Sequence, residues 1–289
     1  MKLRELLRQT ARRLAAARLH YGHGTDNPRD EAAYLVLRGL GLPFDGDLEI
    51  ETTKTQENRV EGLLRKRIRD RIPVAYLLHE AWLGGLPFHV DRRVIVPRSH
   101  IAELLQLRPW LRRPPRRILD LCTGSGCLAV LAAKAFPGAA VDAADVSPSA
   151  LAVAALNVKK FKLKRRVRLV RSDLFSALQS LRYDLIVTNP PYVTTLSLRR
   201  LPPEYAYEPA IALAGGRDGL EFVSRILARA PEHLNPGGVL ACEVGDNRVA
   251  VEAKYRRAAL VWPKDEVFIF QASRTAGVSR TPPTRPRGR

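Results

Sequence analysis

The segment Asn189-Pro190-Pro191-Tyr192 combines residue types that can hold a planar amine for reaction. It follows an apolar run at residues 183–187, which predicts a strand that ends on these polar and aromatic groups. The side-chain oxygen of Asn189 and the carbonyl of Pro190 can each accept one N–H of an NH2 group. Tyr192 can stack on the plane of that group. The segment therefore predicts a catalytic clamp, made stiff by the Pro190-Pro191 pair.

Such a clamp has a chemical purpose, because the nitrogen of an amide or an aromatic amine is a poor nucleophile. Its lone pair is delocalised into the adjacent π system. Two acceptors redirect the lone pair towards an electrophile, so catalysis rests on orientation and on stabilising positive charge that develops on nitrogen. No ionisable base is required in the transition state. The alternative interpretation is a rigid Asn-Pro turn with an exposed tyrosine.

A second segment predicts a ligand site where an apolar strand ends in a carboxylate and turns through glycines into a helix. Asp120 is followed by the turn Gly124-Ser125-Gly126. The glycines permit close approach of a ligand to the backbone, and a helix N-terminus offers free N–H groups to an anion. Ala129 stands where a dinucleotide fingerprint has its third glycine, although alanine is sometimes allowed there. Asp120 could accept from a ligand ammonium group, which a dinucleotide lacks.

Two further acids follow the next predicted strands. Asp145 lies where a carboxylate can bind both hydroxyls of a ribose, whereas Asp142 precedes the strand end and is expected to face elsewhere. Asp173 follows the third strand and could accept from an adenine amino group. A single aspartate here could be a helix cap or a turn residue. Three acids at successive strand ends together predict an adenosine joined to an amino acid, which is S-adenosylmethionine.

The elements that position these residues alternate strand, glycine turn and helix. Short apolar strands are predicted at residues 117–121, 140–145, 167–170 and 183–187, with later strands at 238–244 and 267–270. Alternation of this kind predicts a mostly parallel sheet with helices on both faces. The fold class is therefore α/β, with a Rossmann-like S-adenosylmethionine methyltransferase domain over residues 98–271.

The sequence before this domain has a different pattern. Apolar residues at helical spacing predict a small helical domain over residues 1–81. Residues 82–97 read as a hairpin linker that contains Gly84-Gly85 and apolar runs at 88–90 and 94–96, the two runs being separated by Asp91-Arg92-Arg93. Residues 272–289 are rich in Ser, Thr, Pro, Gly and Arg, which predicts a basic disordered tail.

Composition limits the class of protein. The chain of 289 residues is 46% hydrophobic, contains no run of 18 apolar residues and begins with an amphipathic pattern, so we expect a cytoplasmic protein without membrane contact. Its three cysteines lack paired metal-ligand or redox spacings, so they are expected to be reduced and no metal site is predicted. The net charge of +19 favours polyanionic partners such as RNA, although a biased composition with solvated charge explains it equally well.

The clamp motif resembles that of amino-methyltransferases, a group that includes DNA and RNA base methyltransferases and protein glutamine methyltransferases. Over residues 1 to about 270 the chain resembles the HemK/Prm glutamine methyltransferases, in particular the PrmB branch. The release-factor branch usually has Pro where Ser99 stands and Gly where Cys122 stands. The segments that carry the resemblance are 22–27, 80–82, 96–99 with 101–104, 121–127, and 201–205 with 208–209.

This resemblance implies transfer of a methyl group from S-adenosylmethionine to the side-chain amide nitrogen of a glutamine. The PrmB branch modifies the third protein of the large ribosomal subunit. The family's substrate clamp falls on Asn189, Pro190, Pro191 and Tyr192, and its cofactor contacts fall on Asp120, Thr123, Gly124, Gly126, Asp145 and Asp173. We include Ser125 and Asn189 among the expected cofactor contacts. The chain departs from the family in a shorter segment at 255–268 and in its basic tail.

Three other functions stay open on the sequence alone. A release factor could be the substrate, a DNA or RNA base could be the acceptor, or the chain could be a ribosome-assembly factor with an inactive site. No added base-recognition domain is apparent, and the clamp and the glycine turn are intact. Because a ribosomal protein is itself expected to be basic, a contact between the basic surface of the enzyme and ribosomal RNA would overcome the repulsion.

Overall fold

The chain was described from a computed structural model that covers residues 1–107, 111 and 113–273. Strands β1 (Glu80–Leu83) and β2 (Leu86–His89) form a separate hairpin. Within the described residues, seven further strands form one sheet: β3 (Arg117–Leu121), β4 (Ala140–Asp145), β5 (Val167–Arg171), β6 (Tyr183–Thr188), β7 (Leu234–Glu243), β8 (Val261–Lys264) and β9 (Val267–Gln271). Their spatial order is β5-β4-β3-β6-β7-β9-β8, in which β3 to β7 are parallel and β8 and β9 are antiparallel. The predicted α/β class is confirmed.

The order of the sheet explains where a ligand can bind. The chain runs outward from β3 to β4 and β5, then crosses back to β6 and β7 on the other side of β3. Such a reversal opens a crevice at the carboxyl ends of the central strands. The segments that follow β3, β4 and β6 therefore meet at one edge.

Helices cover both faces of the sheet, as alternating apolar side chains along the strands require. Ile118 and Leu185 belong to one core with α5 (Ile101–Leu107) and α6 (Cys127–Ala135), whereas Leu119 and Ile186 belong to the other core. The remaining helices of this region are α7 (Pro148–Lys160), the single turn α8 (Thr195–Leu198), α9 (Glu221–His233) and α10 (Arg248–Lys254).

The N-terminal residues form helices α1 (Leu3–Ala16), α2 (Pro28–Ala33), α3 (Lys54–Arg69) and α4 (Val74–Leu78), with a wider π-helical turn at Tyr34–Arg38. Asn27 caps α2, because its side-chain oxygen accepts from the backbone N–H groups of Arg29 and Asp30. Helix α1 ends at Ala16, shortly before Arg18, which adopts the left-handed conformation. These helices enclose a core of their own that includes Leu14, Leu35 and Leu64.

A two-stranded hairpin joins the helices to the sheet domain and occupies the first part of the predicted linker. Strands β1 (Glu80–Leu83) and β2 (Leu86–His89) pair around a turn at Gly84 and Gly85, whose φ values are +56° and +75°. Two consecutive left-handed residues favour Gly-Gly. The apolar run at 94–96, which the prediction also placed in the linker, forms no strand in the described structure, and Asp91 accepts from the backbone N–H of Arg93.

The C-terminal end of the described chain closes the sheet with the antiparallel pair β8 and β9. The shorter segment noted at 255–268 thus still contains a strand and its turn. From residue 274 onward, the predicted basic tail lies outside the described residues. Among the helices that the structure describes, none has the length and apolar character needed to span a membrane.

Candidate active site

The carboxyl ends of β3, β4 and β6 surround a cavity of about 310 Å³. The glycine turn after β3, Asp145 at the end of β4 and Asn189 after β6 all border it. The cavity thus brings the predicted cofactor turn together with Asn189 and Pro191 of the predicted clamp, whereas Pro190 and Tyr192 do not border it. Its volume lies within the usual range for small-molecule sites.

The turn after β3 requires glycine for two reasons. Gly124 and Gly126 have φ values of +54° and +79°, where residues with side chains are strained. A Cβ on Gly126 would also lie 3.0 Å from the Cβ of Ala154. The backbone N–H of Gly124 donates to Asp145 Oδ2 over 2.8 Å, which ties the turn to the neighbouring strand. Nothing lies within 4 Å of a Cβ built on Gly124, so the backbone there is open to a ligand.

Asp120 lies below this turn and does not border the cavity. The side chain is fully buried, and Oδ2 accepts from the Thr123 hydroxyl and, over 2.8 Å, from the backbone N–H of Ala129. Burial raises the pKa of Asp120 to about 7. Oδ1 has no hydrogen-bond partner among the described residues. These contacts indicate that Asp120 supports the turn. Its contact with a ligand ammonium group stays a prediction.

The other residues of the turn divide between support and lining. Thr123 and Ser125 both border the cavity. The Ser125 hydroxyl lies 3.0 Å from Cys127 Sγ, while the Ser125 carbonyl accepts from Asn157 Nδ2 over 2.8 Å. Asn157, on α7, therefore holds the turn from behind, a role that the sequence analysis did not assign.

Asp145 borders the cavity at the end of β4, and its predicted contact with a ribose stays a prediction. Its Oδ1 accepts from the backbone N–H of Ser147 over 2.9 Å, and the carboxylate keeps further acceptor capacity towards the cavity. Burial raises the pKa of Asp145 above its usual value, although these backbone hydrogen bonds oppose the shift. Asp142 faces away, as expected, because its carboxylate accepts from Arg168 and from the Tyr183 hydroxyl.

Asp173 stands at the rim of the cavity. Its side chain is 55% exposed, and both oxygens accept from Arg225 Nη2 over 2.8 Å. Asp173, the predicted acceptor for an adenine amino group, thus already has a cationic partner, Arg225 on α9. This pairing was not predicted from the sequence. Arg225 also borders the cavity, so the pair can close its mouth over a bound ring.

Asn189 has the orientation that the predicted clamp needs. Its Nδ2 donates to the backbone carbonyl of Arg98 over 3.2 Å. Because a carbonyl can only accept, this contact places the NH2 group towards Arg98 and leaves Oδ1 as an acceptor. No hydrogen bond to Oδ1 forms within the described part of the chain. Pro190 is buried behind Asn189, and Pro191 borders the cavity.

Tyr192 fits against three glycines from distant segments. A Cβ on Gly245 would lie 2.5 Å from the tyrosine ring, and one on Gly215 or Gly219 would lie 2.6 or 2.5 Å from the Tyr192 backbone. The Tyr192 carbonyl also accepts from Asn247 Nδ2 over 2.8 Å. Tyr192 is therefore held by close packing against backbone that has no side chain. The only sign of this packing in the sequence is the presence of the three glycines.

A buried acid, Glu243, ends β7 beside the clamp. It accepts a hydrogen bond from Ser99 Oγ, and Ser99 borders the cavity. Burial raises the pKa of Glu243 to about 7, against the hydrogen bond from Ser99. No local sequence pattern predicts this carboxylate, because Glu243 and Ser99 are 144 positions apart in the chain.

The lining of the cavity fits S-adenosylmethionine. Leu121, Val146, Leu174 and Phe222 supply apolar surface suited to an adenine ring, and Asp145 supplies the acceptor for a ribose. The open backbone at Gly124 offers a place for the amino-acid carboxylate. In the described residues, no group of three or more His, Cys, Asp or Glu side chains could hold a metal ion.

Comparison with known proteins identifies close relatives. The family model for the methyltransferase small domain matches residues 103–200. The ribosomal protein uL3 glutamine methyltransferase of Bordetella pertussis is 54% identical over 267 residues, which cover 90% of this chain and 90% of that protein. The protein of the same description from Neisseria meningitidis serogroup B is 47% identical over 282 residues, covering 94% of this chain and 93% of that protein.

A solved structure of low sequence similarity shares the fold. The hMettl16 catalytic domain, crystallised with hairpin 1 of the MAT2A 3′UTR, has a TM-score of 0.51 at 17% identity. The likeness covers 88% of this chain and 94% of that chain. At this identity it concerns the fold alone.

Proposed function

Since this chain belongs to the family of ribosomal protein uL3 glutamine methyltransferases, we propose that it methylates the side-chain amide nitrogen of a glutamine in uL3. Its methyl donor is S-adenosylmethionine, as the methyltransferase family implies. The observation that best supports the proposal is the fixed carboxamide of Asn189, which presents Oδ1 at the cavity where the glycine turn also ends.

The clamp can activate a glutamine amide by orientation. Asn189 Oδ1 accepts one N–H of the substrate amide, and the Pro190 carbonyl accepts the other. The nitrogen lone pair is then directed out of the amide plane towards the cofactor turn, and Tyr192 holds the planar group in line. S-adenosylmethionine bound in the cavity would supply an electrophilic methyl group and leave as the neutral thioether S-adenosylhomocysteine, while the methylated nitrogen would release one proton to water. Both acceptors also stabilise the positive charge that develops on nitrogen.

The remaining site roles are part of the same proposal. Asp145 binds the ribose, Asp173 with Arg225 closes over the adenine, and the Thr123–Gly126 turn receives the amino-acid end. The division of the chain into a helical domain at 1–81, a linker at 82–97 and a catalytic domain at 98–271 also stays a proposal, in which the helical domain recognises the protein substrate. Its separate apolar core supports this division.

Incubation of the purified protein with purified uL3 and isotope-labelled S-adenosylmethionine tests the function. Peptide mass spectrometry should locate one methyl group on one glutamine of uL3. Release factors and ribosomal RNA serve as parallel acceptors under the same conditions. Label on a release factor or on RNA, with none on uL3, would reject the proposed substrate and identify the acceptor instead.

We also propose that a basic segment contacts ribosomal RNA. Between Asp145 and Asp173 the chain contains no acidic residue, and Lys162, Lys164 and Arg165 are exposed at the end of α7. No ion pair to these three side chains forms in the described structure. A cluster of free cations is attracted to a polyanion. Since the relatives act on a ribosomal protein, we further propose that the enzyme works in the cytoplasm, which cell fractionation would test.

The double variant Lys162→Ala/Lys164→Ala tests the RNA contact. Its affinity for a ribosomal RNA fragment should fall, and the slope of log Kd against log salt should decrease by about 2, one for each lost phosphate contact. Arg256→Ala/Arg257→Ala, which removes two exposed charges elsewhere, is the matched control. An equal loss in both variants would show that net charge alone governs binding.

A further inference from the structure

A short segment at residues 96–99, here called the strap, is fixed at its start by Glu208. The Glu208 carboxylate accepts from the backbone N–H of Val96 over 2.9 Å. It also accepts from Arg98 Nη1 over 2.7 Å and from Arg98 Nη2 over 2.6 Å, a bidentate pairing. The Glu208 side chain is fully buried and the Arg98 side chain is 29% exposed, so the carboxylate end of these charge-assisted hydrogen bonds is shielded from water.

The strap is fixed at its other end by Glu243, the last residue of β7. Ser99 Oγ donates to Glu243, and the Ser99 oxygen accepts from the backbone N–H of Ile101 over 3.2 Å. The Arg98 carbonyl lies between these two attachments. It is therefore restrained from both sides, with little freedom to rotate.

This restrained carbonyl is the group that orients the clamp. It accepts from Asn189 Nδ2, and a reversed carboxamide would instead bring Asn189 Oδ1 against the Arg98 carbonyl, two acceptors facing each other. If the strap moved, Asn189 could turn and present N–H groups to the substrate amide. The substrate would then lose one of its two acceptors.

Glu208 also meets residues from the helical region. His23 Nε2 lies 3.7 Å from Glu208 Oε1, and the His23 ring packs at 4.5 Å from the Tyr205 ring. The Arg98 guanidinium lies 5.3 Å above Tyr205. Glu208 thus stands where the helical region, the strap and the 203–209 segment come together.

We propose that Glu208 is a positioning residue for methyl transfer, which acts by holding the strap so that Asn189 presents its oxygen to the substrate amide. The inference rests on the proposed function, since it assumes that the amide clamp is the working site. Glu208 does not border the cavity, so its effect must pass through the strap, which it holds at Val96 and Arg98.

The variant Glu208→Gln tests this role. Glutamine has nearly the same shape but cannot pair with both arms of the Arg98 guanidinium as a carboxylate does. We expect a fall in kcat on the order of 10- to 100-fold, because displacement of a reacting group by about 1 Å can cost 100-fold. The Kd of S-adenosylmethionine and the KM of the protein substrate should change less than about twofold, a split that a general loss of fold would not give.

Two comparisons make the result specific. Glu232→Gln breaks an exposed pair with Arg229 on α9 and should keep wild-type kcat. Arg98→Lys keeps the charge but removes the fork; combined with Glu208→Gln it should lose no more than the worse single variant, because both changes break one interaction. Wild-type kcat in Glu208→Gln, or fully additive losses, would overturn the proposal.

A second measurement separates this proposal from the proposed substrate. The side-chain NH2 signal of Asn189 in ¹⁵N-labelled protein, assigned by its loss in Asn189→Ala, reports the hydrogen bond to Arg98 without any acceptor. It should move towards free-amide positions in Glu208→Gln and stay unchanged in Glu232→Gln. An unchanged signal in Glu208→Gln would overturn the positioning role; activity on another acceptor with a shifted signal would reject only uL3 as substrate.

Discussion

At the scale of single residues, the proposed roles separate methyl-acceptor chemistry from cofactor binding. Asn189 Nδ2 donates to the Arg98 carbonyl, whereas Asp145 accepts from the Gly124 N–H and so ties the glycine turn to β4. The proposal assigns the two side chains different functions although both border one cavity.

Crossed substitutions test this separation. Asn189→Ala should lower kcat by about 100- to 1,000-fold, the usual cost of removing one stabilising group from a reaction centre, with the Kd of S-adenosylmethionine nearly unchanged. Asp145→Ala should weaken the cofactor by about 1.5–3 kcal/mol, as for a hydrogen bond to a charged group. Calorimetry and single-turnover rates measure the two effects. Equal loss of cofactor binding in both variants would contradict the assigned roles.

Glu243 makes stability depend on pH in a predictable direction. Its folded-state pKa of about 7 lies above the ordinary glutamate value of 4.5, because burial penalises the charged form. Its contribution is therefore fully present below pH 4.5 and is lost as pH rises through about 7. In the variant Glu243→Gln, the free energy of unfolding should no longer fall over this pH range, a fall of up to about 3 kcal/mol in the wild type. Urea unfolding between pH 5 and pH 8 measures the difference.

The exposed acid Glu252 supplies the control for that experiment. It pairs with Arg248 on the surface, so Glu252→Gln should leave the pH profile unchanged. Asp120 also has a pKa raised to about 7 by burial, so part of the wild-type slope should persist in Glu243→Gln. An identical profile in wild type and Glu243→Gln would show that Glu243 titrates normally.

At the scale of elements, the hairpin shows how two adjacent glycines differ. Gly84 and Gly85 both have positive φ, so alanine at either position carries backbone strain of about 1–2 kcal/mol. Only at Gly84 would the added Cβ meet a neighbour, 2.8 Å from Leu131 Cδ2 on α6, whereas nothing lies within 4 Å at Gly85.

Gly84→Ala should therefore destabilise the protein more than Gly85→Ala. The difference should be about 1–3 kcal/mol, the usual cost of inserting a methyl group into a packed core. Chemical denaturation of the two variants measures it, with Gly85→Ala as the control for backbone strain. Equal losses would mean that Leu131 moves aside freely.

At the scale of the whole molecule, buried charges join the helical region to the 203–209 segment. Arg67 is 1% exposed and donates to Glu31 over 2.7 Å, to Glu204 over 3.3 Å and to the His20 carbonyl over 2.8 Å. Arg71 also lies 2.8 Å from Glu204. These contacts form a buried ionic network where the helical region meets the 203–209 segment.

Removing one member of this network should be costly. Arg67→Ala leaves Glu31 and Glu204 without their central cation and should lower the free energy of unfolding by about 3–5 kcal/mol. Arg69→Ala, on the same helix, breaks only an exposed pair with Asp70 and should leave the free energy of unfolding nearly unchanged. Similar losses in the two variants would show that the buried network contributes no more than a surface pair.

The sequence by itself determined the α/β class, the glycine turn, the acids at strand ends and the clamp motif. Each of these depends on residues close together in the chain, where spacing and backbone preference suffice. Only the tertiary structure decided which way Asn189 faces, since its partner Arg98 is 91 positions away, and only it paired Asp173 with Arg225, 52 positions away. The close approach of Gly84 to Leu131 of α6 likewise joins segments that are distant in the chain. Contacts between distant segments follow from how the sheet and helices pack, which no local pattern encodes.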